Sequence, residues 1–199
     1  KNKIMKIALH LFKNNKNLEN LDLSENTIEI IDSYMFKNMN KLTSLFIRHN
    51  KISEIRPNSF HGLSCLTQLK LDNNRIGKID SNTFRGLINL KVLWIDSNAI
   101  IEIRPNAFKD LTKLEALSVG KNQIRYIDST LLKSLSLLKG ILLSENRIEE
   151  IRCDAFVNLV KLKICYLNKN KLTWIEPKLF VNQSQLEELD LSENRIEEL

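Results

Sequence analysis

Two carboxylates 24 residues apart, Asp72 and Asp96, are the first candidates for chemistry. In a chain that repeats with that period they fall in one column on adjacent strands, which brings them within about 5 Å of each other. Carboxylates at that separation suit a retaining glycosidase or part of a cation site. The surrounding residues complete neither reading. No pocket is suggested nearby, open sheet faces rarely do chemistry, and Arg48 and Lys70 lie beside them, so the expectation is a solvated pair moderated by two cations. His61 and Cys65 are four apart and compatible with a metal, but His10 and His49 fall elsewhere and no further ligand joins them. Cys65, Cys153 and Cys165 are odd in number and form no disulfide framework. Cys165 stands between Leu162 and Leu167 at an apolar position, which predicts a small buried hydrophobe. Pairing of Cys165 with Cys153 is disfavoured because the two fall on opposite sides of one repeat. There is no nucleophile–base–acid set and no glycine-rich phosphate loop. The expectation is no catalytic site, no metal and no cofactor. Asn182, in Asn182-Gln183-Ser184, is the single glycosylation sequon.

The elements that position these residues are set by repetition. LENLDLSENTIEII at 18–31 and LEELDLSENRIEEL at 186–199 are nearly the same string. The common pattern, L-x-x-L-x-L-x-x-N-x-I-x-x-I-x-x-x-x-F-x-x-L-x-x, starts at Leu18, Leu42, Leu66, Leu90, Leu114, Leu138, Leu162 and Leu186 with no slippage. Its Asn column runs Asn26, Asn50, Asn74, Asn98, Asn122, Asn146, Asn170, Asn194, and its aromatic column Phe12, Phe36, Phe60, Phe84, Phe108, Leu132, Phe156, Phe180. The expected organisation is one array over residues 1–199: a partial repeat at 1–17, seven full repeats at 18–185, and a partial repeat at 186–199. Terminal repeats of a solenoid need polar outer faces. Neither end supplies one, so the chain reads as an excerpt with its caps missing.

Within L-x-x-L-x-L the alternation predicts one short strand per repeat, and stacking at about 4.8 Å makes a parallel sheet roughly 34 Å across. The Asn amide, donor and acceptor together, satisfies the backbone groups stranded where the chain turns inward. The outer side begins with Asp-Ser (Asp32, Asp80, Asp128) or Xaa-Pro (Pro57, Pro105, Pro177), either of which starts a short helical turn. The two types alternate through the first five repeats, a sign of growth by doubling a 48-residue pair. The Phe column is core.

These residues resemble the leucine-rich-repeat family over the whole chain, and in particular its 24-residue extracellular animal class, to which the ectodomains of Toll-type receptors, chaoptin and Slit belong. The resemblance implies an α/β solenoid, a horseshoe with a parallel β-sheet on the concave face and short helical or irregular turns on the convex side. It also implies an extracellular setting, as a receptor ectodomain or a secreted recognition, adhesion or innate-immunity protein.

With the template spent on folding, function is sought in the outward columns. The fifth position reads Asp22, Phe46, Lys70, Trp94, Ser118, Leu142, Tyr166, Asp190, and the third adds Val92, Ala116, Gly140 and Ile164. Phe46, Trp94, Leu142 and Tyr166 stand where a solvated strand prefers polar groups. β-Propensity explains single cases; an apolar belt edged by charge, including Arg48 and Asp96, points to an interaction site. Over positions three, five, seven and eight the face carries four cations against eight anions, although the chain is +6. That balance disfavours nucleic acid in the concavity and fits a protein or peptide partner with basic and apolar groups. Nucleic acid along a basic flank, as some Toll-type receptors bind it, is the lesser reading. Trp174 and Tyr126 on the ascending edge offer a second contact surface. No apolar run approaches the roughly 18 residues of a membrane span. The reading is a non-catalytic protein-binding module engaging its partner on the concave face. Its rivals are an intracellular, cytoplasmic scaffold and a self-associating structural or adhesion protein.

Overall fold

The computed structural model describes residues 2–198. Eight three-residue strands lie side by side in chain order as one parallel sheet: Asn20–Asp22, Ser44–Phe46, Gln68–Lys70, Val92–Trp94, Ala116–Ser118, Gly140–Leu142, Ile164–Tyr166 and Glu188–Asp190. Register follows the sequence period, so template columns become rows across the sheet: Asp22 opposite Phe46, Lys70 opposite Trp94, Leu142 opposite Tyr166. The central residue of most of these strands points into a continuous core. Leu45, Leu69, Leu93, Leu117, Ile141 and Cys165 are all buried.

After each strand the residue at the eighth position takes a left-handed conformation, with φ between 50° and 57° at Glu25, His49, Asn73, Ser97, Lys121, Glu145, Lys169 and Glu193. That conformation costs about 1–2 kcal/mol in a non-glycine residue. The Asn that follows offsets it. Asn122 donates from Nδ2 to the carbonyls of Ile95, Val119 and Gly120 at 3.0–3.1 Å, and its Oδ1 accepts from the Ile100 amide at 3.0 Å. The same reach, forward to its own turn and back to the preceding repeat, recurs at Asn50, Asn74, Asn98, Asn146, Asn170 and Asn194.

The Phe rings stack as a second row parallel to the sheet, with centroids 6.3 Å apart for Phe12–Phe36, 6.4 Å for Phe36–Phe60, 6.1 Å for Phe60–Phe84 and 6.0 Å for Phe84–Phe108. Leu132 interrupts it. These steps exceed the roughly 4.8 Å between strands, so the array curves with the sheet inside.

Two features mark the outer side: its turns are short, as expected, and its strands exceed the one per repeat that was expected. The Asp-Ser and Xaa-Pro starts yield one α-helix among the described residues, Ser129–Leu132, where Asp128 caps by accepting from the Leu131 amide at 3.3 Å. Elsewhere single turns close by i→i+3 bonds such as Met39 to Phe36 at 3.0 Å. The other Asp carboxylates are drawn away: Asp32 pairs with Arg56, and Asp80 with Arg104 and Lys78 at 3.3 Å. Secondly, six repeats carry two strands, not one. The extra two-residue strands pair in three separate ladders: Ile30–Ile31 with Glu54–Ile55, Lys78–Ile79 with Glu102–Ile103, and Tyr126–Ile127 with Glu150–Ile151. Each ladder joins an Asp-led repeat to the Arg-led repeat after it, through Arg56, Arg104 or Arg152 donating its amide to Ile31, Ile79 or Ile127. At Asp80 the amide turns to Thr83 Oγ1 at 3.0 Å, which leaves the next step unpaired. The 48-residue alternation is thus a physical grouping of repeats by twos.

Candidate functional site

The concave strands bring the fifth-column residues into one row. Phe46, Lys70, Trp94, Leu142, Tyr166 and Asp190 are half-buried, each leaning on its neighbours. Lys70 sits between two rings, its Nζ 3.8 Å from the Trp94 centroid and 5.1 Å from that of Phe46. The Arg48 guanidinium carbon lies 6.0 Å from the Trp94 centroid, and its Nε donates to both Asp72 carboxylate oxygens at 2.9 and 2.8 Å. Two cations and two aromatic faces therefore form one cluster over the second to fourth repeats, with attraction of the kind expected when ammonium and guanidinium groups sit on ring quadrupoles.

Asp72 and Asp96 do not make the solvated pair expected of them. Asp72 is buried and takes its partners from the preceding repeat (Arg48) and from Asn73 Nδ2 at 3.0 Å. Asp96 turns the other way, accepting at Oδ1 from the Ser118 hydroxyl and from the Gly120 amide at 2.9 Å. Burial holds the Asp96 carboxyl above the ordinary carboxylate range, against the lowering effect of those two bonds. Gly120 makes room for this arrangement, since a Cβ there would stand 3.2 Å from Asp96 Oδ1 and 3.1 Å from the Ser144 carbonyl. Ser118 is itself buried, so it shapes the surface through Asp96 and presents no contact of its own. Asp72 and Asp96 lie between adjacent turns and are partnered there by the neighbouring repeat, a placement the strand alternation does not reveal.

The remaining belt is apolar in its middle and acidic at its end. Val92, Ala116, Gly140, Leu142 and Ile164 carry no charge, and Tyr166 donates its hydroxyl to Glu188, a bond that raises the phenol above its usual range. Glu145 and Glu193 pair with Lys121 and Lys169 at 3.6 and 3.8 Å. Arg48 and Asp72 offset each other's charge, so the face runs from Lys70 among aromatic rings at the second to fourth repeats, through an apolar centre, to Glu188 and Asp190.

Trp174 and Tyr126 are more exposed than any belt aromatic, at 47% and 61%, on the ascending edge with Ile101 at 64%. Asn182 is exposed on the outer side, where its Nδ2 donates to the Val157 carbonyl at 3.2 Å; Asn38 and Asn158 make the same bond one or more repeats earlier. Gln183 replaces a core Leu. Its Nε2 reaches the Phe156 carbonyl at 2.7 Å while its Oε1 has no partner. His61 stacks edge-on against Tyr34 at 5.5 Å, and Cys65 and Cys153 are exposed free thiols, with Cys165 buried. Among the described residues no three His, Cys, Asp or Glu side chains gather in a metal-sized group, and no helix is long and apolar enough to cross a membrane.

Known proteins resemble this arrangement. A leucine rich repeat family model matches residues 1–51, 16–76 and 66–124, and a BspA type leucine rich repeat region of six copies matches 101–199. Among solved structures, that of a TLR13–ssRNA13 complex is 28% identical with a TM-score of 0.89, covering 94% of this chain and 26% of that one. The leucine-rich repeat domain of APL1B is 24% identical with a TM-score of 0.83, over 98% of this chain and 54% of that one. The APL1 leucine-rich repeat domain is 25% identical with a TM-score of 0.80, over 96% and 47%. The chain thus spans between a quarter and about half of the solved chains it matches, and no curated protein matches it. A fold built on an Asn ladder, a Phe spine and an unbroken parallel sheet, matched by these families end to end, belongs to the leucine-rich-repeat family.

Proposed function

We propose that this chain is a non-catalytic binding module of an extracellular receptor or secreted recognition protein, and that it holds a protein segment along the concave face. The observation that carries this reading is the Phe46–Lys70–Trp94–Arg48 cluster continuing into the apolar row of Leu142, Ile164 and Tyr166. Large amphipathic side chains clustered on a rigid sheet are what interface anchors are made of. Because Lys70 lies over the Trp94 ring while Arg48 is held by Asp72, the segment facing the second to fourth repeats carries an acidic group for Lys70. Apolar side chains follow over the centre, and a basic or hydrogen-bonding group meets Tyr166, Glu188 and Asp190. Likeness to the TLR13 and APL1 repeat domains supports a recognition role.

Peptides selected from a random display library against the full chain test this. The expected winners carry an acidic residue ahead of an apolar stretch, and Trp94→Ala weakens them by about 2 kcal/mol or more, the scale of a buried anchor, without lowering thermal stability. Winners that bind Trp94→Ala as well as the parent move the site elsewhere, with Trp174→Ala the next variant to examine.

A further inference from the structure

The net positive charge of the chain lies on its back, where carboxylates are scarce. In the first six outer segments, residues 9–17, 33–41, 57–65, 81–89, 105–113 and 129–137, there are eight Lys or Arg and a single carboxylate, Asp110. They are ordered. The residue after each spine position is Lys13, Lys37, His61, Arg85, Lys109 and Lys133, six consecutive repeats with a basic side chain in one column, all exposed. The column ends at Val157 and Val181. Successive members follow the Phe spine beneath them, whose steps are 6.0–6.4 Å over the first five. None of the five Lys and Arg side chains has an ion-pair partner among the described residues, whereas the cations of the concave flanks, Lys121, Lys139, Lys163 and Lys169, are each paired with a Glu. Beside Lys13 and Lys37 the row borders a hollow of about 610 Å³ walled also by His10 and Tyr34.

A row of exposed cations without ion-pair partners among the described residues, one per repeat at Lys13, Lys37, Arg85, Lys109 and Lys133 with His61 in the third place, is complementary to an extended polymer with one anionic group per unit. Single-stranded nucleic acid is held by aromatic platforms under successive bases, and this row offers Tyr34 alone. We propose that the convex back binds a linear sulfated polysaccharide, whose anionic groups advance along the cations and whose sugar rings pack against Tyr34. The site lies on the face opposite the concave belt and stands independently of the function proposed for that belt.

The test is binding of a size-defined heparin oligosaccharide to the full chain over a salt series. Five permanent cations predict a log–log salt slope of roughly −3 to −4, by analogy with single-stranded polyanions. Lys37→Ser/Arg85→Ser/Lys109→Ser is expected to weaken binding about tenfold or more and flatten the slope by about 2. Lys51→Ser/Arg75→Ser/Arg147→Ser removes equal charge from the ascending edge and is expected to leave affinity within about twofold. Melting curves of both variants establish that each is folded. Equal losses in the two variants would show a net-charge effect and overturn the proposal, as would absence of heparin binding by the parent at physiological salt. A single-stranded oligonucleotide of equal charge that binds the same row more tightly would also overturn it.

Discussion

Lys70 and Trp94 are register partners on adjacent concave strands, and the ammonium of the first lies 3.8 Å from the ring centroid of the second. The ring that looks, in the sequence, like an exposed anchor is already faced by a cation of its own chain. Replacing Lys70 by Gln should uncover it. In a Trp174→Phe background, where Trp94 is the sole indole, emission shifts to the red and iodide quenching increases, while stability changes by about 1 kcal/mol or less, as for a partly exposed cation–π contact. Unchanged emission would show that the lysine does not cover the ring in solution.

The Asn ladder predicts a large local effect from a small substitution. Asn122→Ala removes three donated bonds and one accepted bond at a buried turn. Unsatisfied buried groups cost about 1–3 kcal/mol each, so a loss of at least about 3 kcal/mol is expected in chemical denaturation, with protection from hydrogen exchange lost first at the Ile100 amide, which donates to Asn122 Oδ1. The same substitution at Asn26, which is less buried and makes fewer buried bonds, should cost less.

The period, the Asn and Phe columns and the members of the concave row were legible in the sequence, because each is a side-chain type repeating at fixed spacing and the register of the sheet follows that spacing. Asp72, Asp96 and Ser118 were not. Whether a polar side chain beside a strand is solvated depends on what the adjacent repeat places against it, here Arg48, Gly120 and one another's neighbours, and a single column carries no record of that. The pairing of the outer ladders was half visible: the alternation of Asp-led and Arg-led repeats is in the sequence, while the hydrogen bond from the Asp80 amide to Thr83, at the step between the first two ladders, depends on backbone direction. The basic back was implied by subtraction from an acidic concavity, and its order emerged only once the exposure of the residue after each spine position was known.

The buried Asp96 carboxyl makes a pH-dependent contribution of definite sign. Its folded-state pKa is raised, chiefly by burial. The folded state therefore binds this proton more tightly than the unfolded chain, and that advantage is complete below the unfolded carboxylate range and lost as pH rises through the raised value. Asp96→Asn keeps an oxygen acceptor for Ser118 and Gly120 without the charge. The variant should be more stable than the parent at neutral pH, and the two melting temperatures should converge at acidic pH. A variant less stable at neutral pH would show that the two hydrogen bonds outweigh desolvation.

The three thiols should divide cleanly. Burial pushes the Cys165 thiol up to about 12, and its side chain lies in the core, while Cys65 and Cys153 are exposed. A maleimide at neutral pH should label two cysteines rapidly in the native chain and the third only in denaturant, because reactivity follows thiolate content and access. Rapid labelling of all three would indicate opening of the seventh repeat.

The central claim, that recognition occurs on the concave face, is tested most directly by photocrosslinking. A benzophenone amino acid is placed either at Leu142, in the middle of the concave row, or at Tyr126, on the ascending edge, and each protein is irradiated with the peptides selected against the parent chain. The account predicts adducts from position 142, suppressed by Trp94→Ala, and few from position 126. Adducts from 126 alone would contradict it and place the binding surface on the edge with Trp174.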